Sequence, residues 1–155
     1  MPFVCRALNE HLASNYKVHI QFDEAEIAHF FLPRDGVVYS WLVQGEDGHI
    51  KDFISFYALN SSILQDPDHD KIYAAYAYYN FTVGNDPARL QQLFKDALTL
   101  ARDKQFDVFN MTEVLQHGVV KEELLFKPGD GRLAHYLYNW RIKAVASNDI
   151  GIVLV

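Results

Sequence analysis

Residues 86–101 constrain this chain more than any other stretch. In "DPARLQQLFKDALTLA", Pro87 fits the first helical position after Asp86. Leu90, Leu93, Phe94, Ala97, Leu98 and Ala101 then recur at helical spacing and leave one apolar stripe. The runs on either side read as strands: "YAAYAYYNFTV" (73–83) before the helix and "FDVFN" (106–110), short and buried, after it. Upstream, "VVYSWLVQ" (37–44) and "HIKDFISFYAL" (49–59) flank "GEDG" and predict a hairpin.

Two further helices precede that hairpin. "FVCRALNEHL" (3–12) follows Pro2 and repeats Val4, Leu8 and Leu12. "FDEAEIAHFFL" (22–32) offers Asp23 as N-cap with Glu26 three residues on, the pattern of a capping box, and Pro33 and Gly36 stop it. Downstream, "TEVLQHGVVKEELLF" (112–126) reads as helical with a break at Gly118, and "RLAHYLYNWRI" (132–142) and "DIGIVLV" (149–155) read as closing strands. The order predicts one mixed α/β (α+β) domain over residues 1–155, with a largely antiparallel sheet flanked by helices. In the strand after Gly131, Leu133, His135, Leu137 and Asn139 share one face and Ala134, Tyr136, Tyr138 and Trp140 the other; such an aromatic face is expected in a core.

Composition narrows the function classes. With 155 residues, half of them hydrophobic, the chain can bury a core and is not a disordered segment. Its 14 basic and 20 acidic residues give a net charge of −6 with no basic cluster, which argues against nucleic-acid binding. Cys5 is the single cysteine, so no internal disulfide forms, as expected in a reducing compartment. No apolar run is long enough to span a bilayer, and no signal-peptide pattern opens the chain; a cytoplasmic location is the expectation.

The motifs carry no self-contained catalytic set. "DPDHD" places Asp66, Asp68 and Asp70 at the first, third and fifth positions of a calcium loop, but Lys71 stands where the loop needs Gly and Ala77 where it needs Glu. A polar turn capping a short helix is the better reading of that segment. The seven histidines show no metal-ligand spacing, Cys5 on its helix face reads as packing, and Ser61 and Ser62 lack a nucleophile-elbow context. Gly129-Asp130-Gly131 reads from its residues as a turn.

Function comes from a resemblance. Five segments, "DFISFYALNSSIL" (52–64), "AAYAYYNF" (74–81), "DALTLARDKQFDVFN" (96–110), "LLFKPGDGRLAHYLYNWR" (124–141) and "DIGIVLV" (149–155), together resemble the C-terminal half of eukaryotic N-myristoyltransferase. The likeness covers nearly the whole chain, in order. It implies an acetyltransferase-like (GNAT-like) fold and a transferase that moves myristate from myristoyl-CoA, its cosubstrate, to the N-terminal glycine of proteins. In that family the N-terminal half holds the acyl-CoA and the oxyanion hole, and the C-terminal half supplies most of the peptide groove. The chain therefore resembles the peptide-binding lobe, binding no cofactor of its own, with the missing half or self-association completing it. An isolated binding or structural lobe, folded and inactive alone, is the alternative.

The resemblance also implies residue roles. Asp130 matches an acid facing the Lys-bearing part of the peptide, set between Gly129 and Gly131 so that a peptide can approach closely. Ser61, Ile72, Tyr76, Asn110 and Leu133 match groove positions. Asn60, Met111 and His135 depart from the usual Pro, Ala and Tyr. The terminal α-carboxylate, here that of Val155, matches the catalytic base. An α-carboxyl of pKa near 3.5 facing an ammonium near 8 lies about 4 units, or about 6 kcal/mol, from matched proton transfer. Burial narrows that gap by raising the carboxyl pKa, and an apolar "IGIVLV" tail is suited to carrying it inward.

Overall fold

The computed structural model describes residues 2–64, 67–129 and 131–154. The chain opens with helix α1 (Pro2–Asn15), which buries Val4, Cys5, Leu8 and Leu12 on one face. Strand β1 (Val18–His19) leads into helix α2 (Glu24–Phe31). The capping box forms: Glu26 N–H donates to the Asp23 carboxylate, and the Asp23 N–H is held by the Glu26 side chain, each at 2.8 Å. Between the helices, Asn9 mimics a strand partner for Phe22, donating to its carbonyl at 2.8 Å and accepting from its N–H at 2.9 Å.

Strands β2 (Val38–Gln44) and β3 (Ile50–Ala58) form the expected hairpin. Strand β4 (Ser61–Ser62) and strand β5 (Lys71–Ile72) pair as a second, short hairpin, and strand β6 (Ala74–Thr82) follows at once. Helix α3 (Pro87–Asp103) begins as the sequence predicts, with the Asp86 side chain accepting from Ala88 and Arg89 N–H groups. Strand β7 (Val108–Asn110), the four-residue helix α4 (Gly118–Lys121) and strand β8 (Ile150–Gly151) complete the set. The main sheet runs β2-β3-β6-β7; its first three strands are antiparallel and β7 is parallel to β6. The expected mixed, largely antiparallel sheet flanked by helices is what forms.

Apolar clusters cover the two faces. One joins Leu8, Leu12, Phe22, Ile27 and Phe31 of the N-terminal helices and their linker to Phe53, Tyr78, Tyr79, Phe81 and Val153. The other packs Leu90, Leu93, Phe94, Ala97 and Ala101 of α3 against Ile54, Phe56, Ala75 and Ala77. A bulge sits between β3 and β6. Ile54 pairs with Asn80 and Phe56 with Ala77, so Ser55 alone faces both Tyr78 and Tyr79. Strict alternation would point these consecutive tyrosines to opposite faces, yet both lie in the cluster with Phe31.

The sequence reading needs correction in several places. Residues 112–126 form turns around α4 and not a longer helix. Among the described residues the Asp-rich segment lies between the arms of the β4–β5 hairpin with no helix beside it in the chain; Asp66 lies outside the described residues. Strand β7 is half-exposed, with Val108 at 41%. Beyond Phe126 the expected strand 132–142 does not form. Its aromatic face is solvent-facing, with Tyr136 at 88%, Tyr138 at 87% and Trp140 at 75% exposure. A strand needs a neighbour for its N–H and C=O groups and a surface for its apolar face. Among the described residues nothing offers this ribbon either.

Candidate functional site

The start of β6 organises the site. Tyr76 is paired in register with Tyr57 of β3 on one side and with Asn110 of β7 on the other. Tyr57 and Tyr76 rings stack with centroids 5.5 Å apart and planes 19° from parallel. Ser61 and Ile72 are register partners in the β4–β5 hairpin, which extends from the same end of β3 and β6. Leu59 N–H to the Ala74 carbonyl at 2.9 Å closes the base of that hairpin. Four of the sequence-identified residues, Ser61, Ile72, Tyr76 and Asn110, are thus gathered at one end of the sheet. Tyr76 and Asn110 are half-buried, and Ser61 and Ile72 are exposed.

An open cleft of about 360 Å³ borders this end and is lined by Asn60 and Tyr73, the chain neighbours of Ser61 and Ile72. On its far side Asp35 accepts from Tyr39 Oη at 3.0 Å and from Lys104 Nζ at 3.1 Å. These bonds hold the Asp35 carboxyl below its ordinary pKa, the Lys104 bond foremost.

Strand β8 pairs in parallel with β1, Ile150 opposite Val18 and Gly151 opposite His19. Val153 is buried, and its N–H donates to Tyr79 Oη at 3.2 Å. Tyr57 Oη donates to the Leu154 carbonyl at 3.0 Å. Neither tyrosine was singled out by the sequence. Nothing in a period-2 reading of β6 marks Tyr79, because the bulge decides which way it points.

Not every sequence-identified residue joins this cluster. Gly129, Gly131 and Leu133 lie in exposed chain without regular structure; a Cβ at either glycine would meet nothing within 4 Å. Asp130 and Val155 lie outside the described residues.

Other reactive groups are built into the fold. Cys5 donates to the Phe22 carbonyl at 3.4 Å, and burial raises its thiol pKa, as suits a packed cysteine. Fully buried His117 sits between the Asn80 amide at Nε2, 2.7 Å, and the Thr112 carbonyl at Nδ1, 2.8 Å. Burial lowers its pKa to about 4, so it is a neutral core histidine. Among the described residues no group of three His, Cys, Asp or Glu side chains could hold a metal ion. No helix among them is long and apolar enough to cross a membrane.

Comparison with known proteins gives this geometry a context. The family model "Myristoyl-CoA:protein N-myristoyltransferase, C-terminal domain" matches residues 1–153. Glycylpeptide N-tetradecanoyltransferase 1 of Arabidopsis thaliana is 42% identical over 157 residues, covering 100% of this chain and 35% of its own. The Plasmodium falciparum glycylpeptide N-tetradecanoyltransferase is 41% identical over 150 residues, covering 97% of this chain and 35% of its own. The chain thus spans about a third of the length of these relatives. Among solved structures, Saccharomyces cerevisiae N-myristoyltransferase with bound myristoyl-CoA superposes with a TM-score of 0.75 at 27% identity, over 84% of this chain and 34% of that one. A predicted acetyltransferase from Clostridium acetobutylicum, at 8% identity and a TM-score of 0.62, shares the fold over 90% of this chain.

Proposed function

We propose, from the premise that this chain belongs to the N-myristoyltransferase C-terminal domain family, that it is the peptide-binding lobe of a protein N-myristoyltransferase. The reaction is acyl transfer from myristoyl-CoA to an N-terminal glycine. The glycine amine attacks the thioester carbonyl, an amide C–N bond forms, the C–S bond breaks, and the CoA thiol leaves. The ammonium must first lose a proton, and the terminal carboxylate of Val155 takes it. Ser61, Ile72, Tyr76, Asn110 and Leu133 line the peptide groove, and Asp130, between Gly129 and Gly131, meets a basic residue of the peptide. The lobe holds no cofactor. Myristoyl-CoA is the cosubstrate, placed by the other half, and the setting is cytoplasmic.

One observation carries this reading. The tail residues Val153 and Leu154 are bonded through Tyr79 to β6, which carries Tyr76, and through Tyr57 to the adjacent β3. Anchoring of the residues just before the proposed base to the sheet that carries Tyr76 supports a reaction governed by placement. The exposed ribbon of Leu133, Tyr136, Tyr138 and Trp140 supports a covering partner, the remainder of the transferase.

The test is turnover by an enzyme containing both halves, with and without two residues added after Val155. Added residues replace the carboxylate with a peptide bond. Loss of turnover with retained peptide binding is expected; full turnover with the extension overturns the terminal base. In the same enzyme, Asp130→Asn should weaken Lys-containing peptides more than peptides without Lys. Equal weakening would return Asp130 to a turn role.

A further inference from the structure

Strand β8 ends at Gly151, so the backbone of the following residues has left the ladder that fixed Ile150 and Gly151. Chain ends without backbone partners fray. Here Tyr79 Oη accepts from the Val153 N–H at 3.2 Å, and Tyr57 Oη donates to the Leu154 carbonyl at 3.0 Å. The Leu154 carbonyl belongs to the amide that joins Leu154 to the last residue. We propose that Tyr57 and Tyr79 are positioning residues for the reaction, holding the backbone of Val153 and Leu154 from which the proposed base extends. This deepens the terminal-base reading and rests on it.

Both hydroxyls are held in place by their rings. Tyr79 packs edge-on against Phe22, Phe31 and Tyr78, with centroids 5.2, 5.8 and 4.8 Å away. Its direction is set by the bulge opposite Ser55. Tyr57 stacks on Tyr76 and meets Tyr78 edge-on at 5.5 Å. Burial raises the pKa of both phenols, so each keeps its proton through neutral pH. Tyr57 thus touches the tail through its hydroxyl and the implied peptide groove through its ring. Loss of that link would let Leu154 shift relative to Tyr76, and a misplacement of about 1 Å near reacting groups can cost about a hundredfold in rate.

Tyr57→Phe and Tyr79→Phe remove one oxygen each and keep the stacked rings. The first readout is the heteronuclear 15N NOE of the Leu154 and Val155 amides in this chain. Tyr57→Phe should lower it there and leave the values for β3 and β6 unchanged. The second is kinetics in an enzyme that carries both halves. There kcat should fall about ten- to a hundredfold, with the peptide KM within about twofold. Tyr79→Phe should do the same in the same direction. Wild-type kcat in both variants, or a loss confined to stability, overturns the positioning role. The C-terminal extension separates the two failures. If extension abolishes turnover while both tyrosine variants keep wild-type kcat, only the positioning role fails. If extension is harmless, the terminal base fails and the positioning role with it.

Discussion

Ser55 donates its hydroxyl to the carbonyl oxygen of Tyr79 at 2.8 Å, across the bulge where one residue of β3 faces two of β6. A bulge leaves a backbone group outside the regular ladder, and in a buried strand that group must find another partner. Ser55, 1% exposed, supplies it. Removing the hydroxyl leaves a buried carbonyl unsatisfied. Ser55→Ala should lower stability by about 1–3 kcal/mol in urea unfolding. It should also broaden the Val153 amide resonance, because the Tyr79 ring that holds Val153 loses its support. No stability change would mean that the bulge does not depend on this bond.

Gly151 lies flat against Tyr16. A Cβ added there would fall 2.8–3.0 Å from the Tyr16 side chain, Cβ and ring alike, and Tyr16 is buried at 5% exposure. The ring cannot swing away freely, so β8 must shift from β1. Gly151→Ala is expected to cost about 1–3 kcal/mol by thermal or urea unfolding. In an enzyme with both halves it should also reduce kcat, since the displaced strand carries the tail. Wild-type stability would show that the tail is more loosely held than the contact implies.

Stability should depend on pH through two histidines. His11, stacked on Phe81 at 5.3 Å, and His117 are both brought to a pKa of about 4 by burial. Their unfolded pKa is about 6.5, so the unfolded chain binds more protons between these values. The stability they contribute is complete above pH 6.5 and is lost as pH falls through 6.5 towards 4. Urea unfolding between pH 7 and 5 should show stability falling with pH, with up to about two protons taken up on unfolding. His11→Gln should remove about half of that slope. An unchanged slope in the variant would place the linkage elsewhere.

The ribbon that contains Tyr136, Tyr138 and Trp140 is an apolar surface without a cover among the described residues. This chain alone should self-associate with concentration, as seen by light scattering. The double variant Tyr138→Ser, Trp140→Ser should shift association to higher concentration without altering the unfolding midpoint, because these side chains pack against no core cluster. A monomeric wild-type chain at high concentration would count against a partner-seeking surface.

Most regular elements were legible because local physics determines them. Asp86-Pro87 and the Asp23–Glu26 box fix helix starts within a few residues, and the β2–β3 hairpin follows from alternation around a Gly-containing turn. Strand β1 carries no such signal, and of the strand read at 149–155 only Ile150–Gly151 is regular, because each of these strands pairs only where the other lies beside it. Ser61 pairs with Ile72 and Tyr76 with Asn110, relations that periodicity does not contain. The first arises from the β4–β5 hairpin and the second from the parallel pairing of β7 beside β6, with α3 crossing between them.

The amino-acid sequence by itself determined helices α1 to α3, the β2–β3 hairpin, the mixed sheet and the family, through caps, periods and residue patterns spread over the whole chain. Tertiary structure alone decided where Tyr79 points and what holds the tail. A bulge reverses a side chain's face without changing composition or hydrophobic pattern. It likewise decided that residues 132–142 stay out of the sheet, against a strong strand pattern. A β pattern states only that a segment can pair; whether it does depends on a neighbour that the segment does not encode.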